Sequence, residues 1–335
     1  MTPGRLPGLR RLHHSAFSAE ALAAAKNATT VSVCLPARDE ERTVGRIVKT
    51  IREELVERVG LVDEIVVVDD RSTDGTAAAA ANAGAAVVRV PRMARSESGK
   101  GVAMAVAVGQ STGDVIVFCD ADVENFASHF VVGLLGPLLC DSAVGFVKGA
   151  YRRPLAGVPG EGGRVTELAA KPLLELLHPQ VAHFAQPLAG EVALRRSLIE
   201  TLSLPADYGV DVALLIDVAQ RIGLEAMAEV DLGERVHRNR PLSELAPQAR
   251  SVVRAILARA DVDGGVEAPL GRPLWRFEPS SLDVPGATTS GAAWGTGPSV
   301  ARPEGPAALW PANGRPRERN ETKRAVAPAT TRARR

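Results

Sequence analysis

The sequence predicts an α/β fold built on a mostly parallel sheet with helices on both faces. Four short Val/Ile-rich segments have the length of strands: 31–36, 64–69, 85–90 and 114–120. Three longer stretches of helical character lie between them: 42–55, 74–83 and 100–111. Strands that alternate with helices of this length are typical of βαβ units. The strand segments also lack alternating polar residues, which indicates strands covered on both faces.

The second half of the chain is richer in helices. Two further strands are predicted at 143–151 and 224–233. Helices are predicted at 166–177, 192–202, 212–222 and 242–260. In an open parallel sheet, ligands bind beyond the carboxyl ends of the strands, so the residues that follow each strand are the candidates for a functional site.

The composition is that of an ordinary folded protein. The 335 residues are 45% hydrophobic and 24% charged, which excludes a collagen-like or wholly disordered chain. No apolar run approaches the roughly 18 residues of a membrane helix, and we expect neither a membrane nor a nucleic acid as partner. The three cysteines form no C-x-x-C pair, which fits a reducing, cytoplasmic setting.

The net charge of +1 is unevenly distributed. Residues 271–335 hold eleven Lys/Arg against five Asp/Glu, together with nine Pro and seven Gly. Pro and Gly at this density, without a period, indicate irregular or disordered chain. We therefore predict a disordered tail (266–335). The chain before it divides into a flexible N-terminus (1–16), a βαβ half (17–141) and a more helical half (142–265).

The fourth predicted strand leads into Asp120-Ala121-Asp122. Side chains two residues apart on an extended segment point the same way, so both carboxylates can converge on one ion. Magnesium takes oxygen ligands and often combines one or two carboxylates with substrate phosphates. The pair therefore predicts a divalent-metal and diphosphate site, the alternative being two solvated or capping acids.

Polar residues also follow the first two strands. Asp70 comes directly after the second strand, where a carboxylate can accept hydrogen bonds from the N–H groups of uracil or guanine, or cap the next helix. For Asp74, capping is the favoured interpretation. The loop 36–40 after the first strand lies where a nucleotide would meet the sheet edge.

Lys100 stands at the start of a predicted helix, in the sequence SGKG. A helix N-terminus and a lysine together favour an anion, although the spacing is not that of a P-loop. We expect Lys100 to contact nucleotide phosphates, the alternative being a solvated lysine beside a glycine turn.

His237 and several arginines form a second group of candidates. A neutral imidazole can complete the coordination of a divalent metal, although a lone histidine is more often a surface or core residue. The guanidinium groups beside His237 and earlier in the same half of the chain suit phosphate or carboxylate and predict an anionic acceptor. They belong to Arg152, Arg153, Arg164, Arg238 and Arg240.

Nine segments together resemble a known family: PARDEERTVGRIV (36–48), EIVVVDDRSTDGT (64–76), SGKG (98–101), DVIVFCDADV (114–123), FVKGAYRRPL (146–155), GGRVTEL (162–168), QPLAGE (186–191), YGVDVALLIDV (208–218) and LGERVHRNRPLSEL (232–245). The family is that of the glucosyl-3-phosphoglycerate synthases, retaining nucleotide-sugar glycosyltransferases of the GT-A fold. The D-x-D part is generic to the class, whereas GGRVTEL and HRNRPL are specific to this group.

The resemblance implies a GT-A fold in which residues 17–141 form the nucleotide-sugar-binding βαβ half and residues 142–265 the helical acceptor-binding half. It implies transfer of glucose from UDP-glucose to the 2-hydroxyl of 3-phosphoglycerate, with Mg²⁺ or Mn²⁺ as cofactor and a homodimer as the assembly. The implied donor-binding residues are Pro36, Ala37, Arg38, Glu40, Asp70, Lys100 and Asp120. Asp122 and His237 would hold the metal, and the acceptor-binding residues would be Arg164, Thr166 and Asn239. Asp120, Glu191 and Asp211 would act on the sugar or the acceptor.

Three positions depart from the family pattern. Asp70 stands where serine is usual, Ala189 where a second glycine is usual, and Asp211 where glutamate is usual. These changes leave open a sibling activity with GDP-mannose or with another acceptor such as glycerate. Two further alternatives are an inactive sugar-nucleotide-binding protein and a nucleotidyltransferase. The latter class has a Gly-rich basic loop after its first strand, whereas PARDEE stands here.

Overall fold

The computed structural model describes residues 8–90, 99–154, 163–236, 242–260 and 275–276, all within one compact unit. Its strands are β1 (Arg10–His13), β2 (Val31–Ala37), β3 (Glu64–Asp69), β4 (Ala86–Arg89), β5 (Val115–Phe118), β6 (Phe146–Arg152), β7 (Val192–Arg195), β8 (Ser203–Leu204), β9 (Met227–Glu234) and β10 (Trp275–Arg276). Its α-helices are α1 (Ala19–Ala25), α2 (Glu41–Ile51), α3 (Thr76–Asn82), α4 (Lys100–Gln110), α5 (His129–Cys140), α6 (Lys171–Leu177), α7 (Arg196–Ile199), α8 (Val210–Ile222) and α9 (Leu242–Leu257).

Short helical turns of other types join these elements. Helix α2 continues into a π-helical segment, Arg52–Glu57, and a second π-helical segment, Thr166–Ala170, leads into α6. Two 3₁₀ turns, His14–Ala16 and Leu224–Ala226, follow β1 and precede β9. None of the helices in the described ranges is both long and apolar enough to cross a membrane.

Eight strands form one sheet in the order β1-β9-β6-β7-β5-β2-β3-β4, and β8 pairs with β10 separately. Seven of the eight strands run parallel to one another, whereas β7 runs antiparallel to both of its neighbours, β5 and β6. The mostly parallel sheet flanked by helices confirms the predicted fold class.

Both faces of the sheet are covered, as the apolar strands predict. Alternate residues of β2 enter different cores: Val33 and Leu35 pack with α2 and α5 on one face, and Cys34 packs with α4 and α8 on the other. A two-residue side-chain period sends neighbouring residues of a strand to opposite faces, so a strand between two helical layers is apolar throughout.

The topology brings the functional candidates to one edge of the sheet. Because β2, β3, β5, β6 and β9 share one direction, the residues that follow each of them meet at that edge. The antiparallel strand β7 begins there, with Val192 paired to Phe118 of β5 and to Lys148 of β6. Glu191, just before β7, therefore lies beside the acids that follow β5.

Two parts of the sequence differ from their predicted structure. The helix predicted over 192–202 is wrong: Val192–Arg195 is a strand, and helix begins only at Arg196. Val192, Ala193 and Leu194 are almost fully buried, so burial between two strands outweighs the local helical pattern. Residues 10–13, in the segment predicted to be flexible, form an edge strand beside β9. The tail predicted over 266–335 lies outside the described residues, except for β10.

Candidate active site

A cleft at the carboxyl edge of the sheet collects most of the predicted site residues. From the first half it is lined by Pro36, Ala37, Arg38, Glu40, Asp70, Lys100, Asp120 and Asp122. From the second half it is lined by Arg153, Arg164, Thr166, Tyr208, Asp211 and Arg235. Two predicted residues, His237 and Asn239, lie outside the described part of the chain. Glu191 lies behind the cleft wall rather than on it.

One end of the cleft is built from the loops after β2 and β3. Asp70 is buried, its backbone N–H donates to the Ala37 carbonyl oxygen at 2.8 Å, and Arg71 Nε lies 3.3 Å from its carboxylate. The loops are joined by Asp39, whose carboxylate accepts from the backbone N–H of Thr73 at 2.7 Å. The loop 36–40 and Asp70 therefore form one rigid wall, with a buried carboxylate able to accept hydrogen bonds from a base.

Asp74 plays the predicted capping part. Its carboxylate accepts from the backbone N–H of Thr76, the first residue of α3, at 3.0 Å, and from the backbone N–H of Glu41 at 3.2 Å. Side-chain acceptors at a helix start satisfy N–H groups that have no partner within the helix. Asp74 thereby ties together the starts of α3 and α2.

Lys100 lies at the centre of the cleft. Its Nζ donates to Asp120 Oδ1 at 2.8 Å and to Asp211 Oδ2 at 2.9 Å, and only 13% of its side chain is exposed. Gly190 makes this arrangement possible, since a Cβ at that position would overlap both Lys100 Nζ and the Asp120 carboxylate. The ammonium group thus joins the first residue of α4 to the end of β5 and the start of α8.

Burial and charge shift the pKa values of this trio in different directions. Burial alone would lower the pKa of Lys100, but Asp120 and Asp211 outweigh it and the net shift is upward. Burial acts to raise the pKa of Asp120, yet Lys100 and Arg235 hold it well below its usual range. The pKa of Asp211 is raised because burial exceeds the opposing effect of Lys100. Lys100 and Asp120 are therefore charged throughout the neutral range.

The carboxylates of Asp120 and Asp122 converge, as their spacing predicts. One nitrogen, Arg235 Nη2, donates to Asp120 Oδ2 and to Asp122 Oδ1 at 2.7 Å each. A single positive group can thus touch both acids, so the pair fits a divalent cation that takes its remaining ligands from phosphate and water. The described residues contain no group of three or more His, Cys, Asp or Glu side chains that could hold a metal.

Arg235 also contacts Glu191 and Tyr151, which do not line the cleft. Its Nε lies 2.9 Å from Glu191 Oε1, although without the alignment of a hydrogen bond, and its guanidinium carbon lies 5.4 Å from the centre of the Tyr151 ring. Glu191 is fully buried and Arg235 is 3% exposed. Glu191 therefore contacts Arg235 and does not line the cleft, whereas the family resemblance implies that it acts on the sugar or the acceptor.

The other end of the cleft is basic. Arg164 and the nearly fully buried Thr166 line it beside Arg153. Arg153 stacks over the Tyr151 ring at 5.0 Å and donates from Nη2 to the Tyr151 hydroxyl at 2.8 Å. Guanidinium groups match phosphate and carboxylate in a bidentate manner, so this end suits a small anion.

Lys148 is buried next to the cleft and contacts two of the segments that form it. It is fully buried on β6, and its Nζ donates to the Ala189 carbonyl oxygen at 2.9 Å and lies 3.5 Å from the backbone oxygen of Asp211. It thereby joins the loop before β7 to the first turn of α8. Burial is the main cause that lowers its pKa to about 8, while Asp211 opposes the shift.

Sequence reasoning missed Arg235 and Lys148. Arg235 directly follows β9, and the rule that ligands bind beyond strand ends could have found it. It lies in the segment 235–240, which contains three arginines and a histidine, and only His237 of these has a side chain typical of a metal ligand. Lys148 lies within a strand, and nothing in its sequence neighbourhood shows that it faces the site.

The chain is similar to known glycosyltransferases. Residues 32–144 match the family model of glycosyl transferase family 2. The glucosyl-3-phosphoglycerate synthase of Mycolicibacterium smegmatis is 46% identical over 254 residues, which cover 73% of this chain and 82% of that protein.

Two solved structures are similar to this chain over about three quarters of its length. The first is glucosyl-3-phosphoglycerate synthase from Mycobacterium tuberculosis in complex with Mn²⁺, UDP-glucose and phosphoglyceric acid. It has a TM-score of 0.69 at 40% identity and covers 76% of this chain and 88% of that one. The same enzyme has also been solved with Mg²⁺ and UDP. The second is mannosyl-3-phosphoglycerate synthase from Rubrobacter xylanophilus. It has a TM-score of 0.71 at 40% identity and covers 78% and 85%.

Replacing Lys148 by methionine tests the burial of its charge. The pKa of Lys148 is about 8 in the folded protein against 10.5 for an ordinary lysine, so the unfolded chain binds more protons between these values. The free energy of unfolding of the parent protein should therefore gain roughly 1–2 kcal/mol relative to Lys148→Met between about pH 7.5 and 9.5. Urea denaturation at several pH values measures the difference. A difference that is independent of pH would contradict this assignment.

Proposed function

The chain belongs to the glucosyl-3-phosphoglycerate synthase family, and on that premise we propose that it transfers glucose from UDP-glucose to the 2-hydroxyl of 3-phosphoglycerate and releases UDP. One observation carries the proposal. A single cleft brings together a wall with a buried carboxylate at one end, the convergent pair Asp120 and Asp122 in the middle, and the basic group at Arg164. These are the chemistries that a base, a diphosphate and an anionic acceptor require.

The donor lies against the first half of the sheet. Pro36, Ala37, Arg38, Glu40 and Asp70 line the end of the cleft where the uridine binds. Lys100 and Asp120, already paired at 2.8 Å, face the diphosphate and the sugar. As the leaving group gains negative charge, the fixed positive charges of Lys100 and Arg235 stabilise it without reorganisation.

A divalent cation, Mg²⁺ or Mn²⁺, binds at Asp122 with His237 as a further ligand. The convergence of Asp120 and Asp122 on one point supports this placement, and a neutral imidazole is a common partner of carboxylates around such ions. When bound, the ion neutralises charge on the departing diphosphate.

The acceptor lies at the basic end of the cleft. Arg164 and Thr166 bind its phosphate and carboxylate together with Asn239, and Arg153 adds a further positive charge beside them. Asp211, in the first turn of α8, is 8% exposed and lines the cleft. Because it contacts Lys100, which faces the donor, it lies close to the sugar. Glu191 acts indirectly, because it contacts Arg235 and does not line the cleft.

The transfer retains the configuration of the sugar by attack on its front face. The carboxylates of the site are each already engaged by a cation: Asp120 by Lys100 and Arg235, Asp211 by Lys100, and Glu191, behind the cleft wall, by Arg235. The acceptor hydroxyl attacks the anomeric carbon as the bond to the diphosphate breaks, and its proton passes to an oxygen of the departing phosphate.

A similar structure whose name gives another sugar supports a second candidate function. The mannosyl-3-phosphoglycerate synthase structure resembles this chain as closely as the glucosyl enzyme does. The carboxylate of Asp70 could accept from both the N1–H and the amino group of guanine, whereas uracil offers one N–H. GDP-mannose is therefore the alternative donor.

Assembly and location complete the proposal. A homodimer is supported by the family membership and by two large apolar side chains on the segment before and within α6, Leu168 and Leu176, which are 80% and 78% exposed. A cytoplasmic location is supported by three cysteines that form no disulfide. Light scattering of the purified protein tests the dimer, and a reporter fusion in the native host tests the location.

A panel of donors and acceptors tests the reaction. UDP-glucose and GDP-mannose are each combined with 3-phosphoglycerate or glycerate, with and without EDTA, and nucleotide release is measured. We expect fastest release with UDP-glucose and 3-phosphoglycerate, and loss of activity in EDTA. Arg164→Met should raise the KM for 3-phosphoglycerate about tenfold or more and affect glycerate less, because glycerate lacks the phosphate.

Three results of this panel would contradict the proposal. Release that EDTA leaves unchanged removes the metal from the reaction. Equal release without any acceptor shows that Arg164 does not mark an acceptor site. Faster release with GDP-mannose favours the second candidate function. Arg58→Met is the matched control, because Arg58 is 54% exposed and pairs with Glu20 outside the cleft.

Front-face attack predicts that no covalent intermediate forms. Mass spectrometry of the intact protein, quenched during turnover with UDP-glucose and acceptor, should show only the unmodified mass. A species heavier by one glucosyl group, mapped to Asp120, Glu191 or Asp211, would instead establish a nucleophilic residue and a two-step reaction.

A further inference from the structure

Arg235 occupies the point at which the two acids of the D-x-D pair converge. One of its nitrogens lies 2.7 Å from Asp120 and 2.7 Å from Asp122. A divalent cation bound by the same carboxylates would therefore lie within a few ångströms of a permanent positive charge. Arginine keeps this charge at every accessible pH.

Arg235 has little freedom to withdraw. Its guanidinium group packs against the Tyr151 ring, and its Nε lies 2.9 Å from Glu191. Both carboxylate oxygens of Glu191 are buried and make no hydrogen bond in the described structure, so Arg235 is the cation that compensates this carboxylate. Removing the partner of a buried charge is strongly destabilising.

The cluster is already close to neutral. Its carboxylates are those of Asp120, Asp122, Glu191 and Asp211. Its cations are Lys100, Lys148 and Arg235, with Arg153 also beside the Tyr151 ring. A divalent ion entering alone would add two positive charges that nothing compensates, whereas the diphosphate of a donor brings the missing negative charge.

We infer that Arg235 makes binding of the divalent cation depend on the donor diphosphate. In the free enzyme, Arg235 weakens binding of the cation at Asp120 and Asp122 whether or not its side chain moves. If Arg235 stays in place, it repels the ion, and if it moves away, it leaves Glu191 uncompensated. Once the diphosphate is bound, its charge offsets both costs. This coupling rests on the proposed function, since it requires a nucleotide diphosphate in the cleft.

Mn²⁺ binding, followed by electron paramagnetic resonance of the free ion, tests this role without any turnover. The parent protein, Arg235→Met and Arg235→Gln are each titrated with Mn²⁺ alone and at saturating UDP. For the parent, UDP should tighten Mn²⁺ binding by about tenfold or more. Both variants should bind Mn²⁺ alone about fivefold or more tightly than the parent does, and UDP should then add less.

The controls separate this role from general effects. Arg58→Met removes an exposed positive charge outside the cleft and should behave as the parent does. Circular dichroism reports folding, and Arg235→Gln keeps an N–H donor beside the acids if the methionine variant does not fold. By linkage, the factor by which UDP changes Mn²⁺ affinity must equal the factor by which Mn²⁺ changes UDP affinity, which calorimetry measures.

Two outcomes would overturn the inference, and they are distinguishable. If the variants bind Mn²⁺ alone no more tightly than the parent, Arg235 does not oppose the ion, while the proposed function stands on the UDP effect in the parent. If UDP neither binds nor changes Mn²⁺ affinity in the parent, the inference and the donor site of the proposed function both fail.

Discussion

The contact of Lys100 with Asp120 and Asp211 is the interaction on which the rest of the cleft depends. It joins three elements that are distant in sequence: the first residue of α4, the end of β5 and the first turn of α8. Each partner is held by its own element, so the ammonium group fixes their spacing. Gly190 leaves the room for it, since any side chain there would overlap the pair.

Burying so many charges is costly, and the structure offsets the cost by pairing them. Asp120 contacts both Lys100 and Arg235, and Arg235 also contacts Asp122 and Glu191. A buried charge without its partner is far less favourable than the pair. The acids and cations are therefore held as one cluster, which meets a charged donor with little rearrangement. Electrostatic stabilisation of a transition state depends on such preorganised groups.

Local sequence was sufficient to predict the parallel half of the fold and the strand ends that line the cleft. Val/Ile-rich runs located β2, β3, β4 and β5, and the polar residues that follow three of these strands line the cleft. The contacts between side chains within the site could not be predicted from local sequence. The sequence predicts contact between Lys100 and phosphates but not its contacts with two carboxylates, because α8 brings Asp211 to it through tertiary packing. Glu191 lies behind Arg235 because β7 runs antiparallel between β5 and β6, and that long-range pairing overrides a local helical pattern.

A double-mutant cycle on Lys100 and Asp120 measures how strongly this pair holds the cleft together. The free energy of unfolding is measured for the parent protein, Lys100→Met, Asp120→Asn and the double variant. Because the side chains are 13% and 23% exposed, we expect a coupling energy of about 2 kcal/mol. The exposed pair Lys171–Glu167 serves as reference and should give about 0.5 kcal/mol. A coupling at Lys100 and Asp120 no larger than that reference would contradict the account.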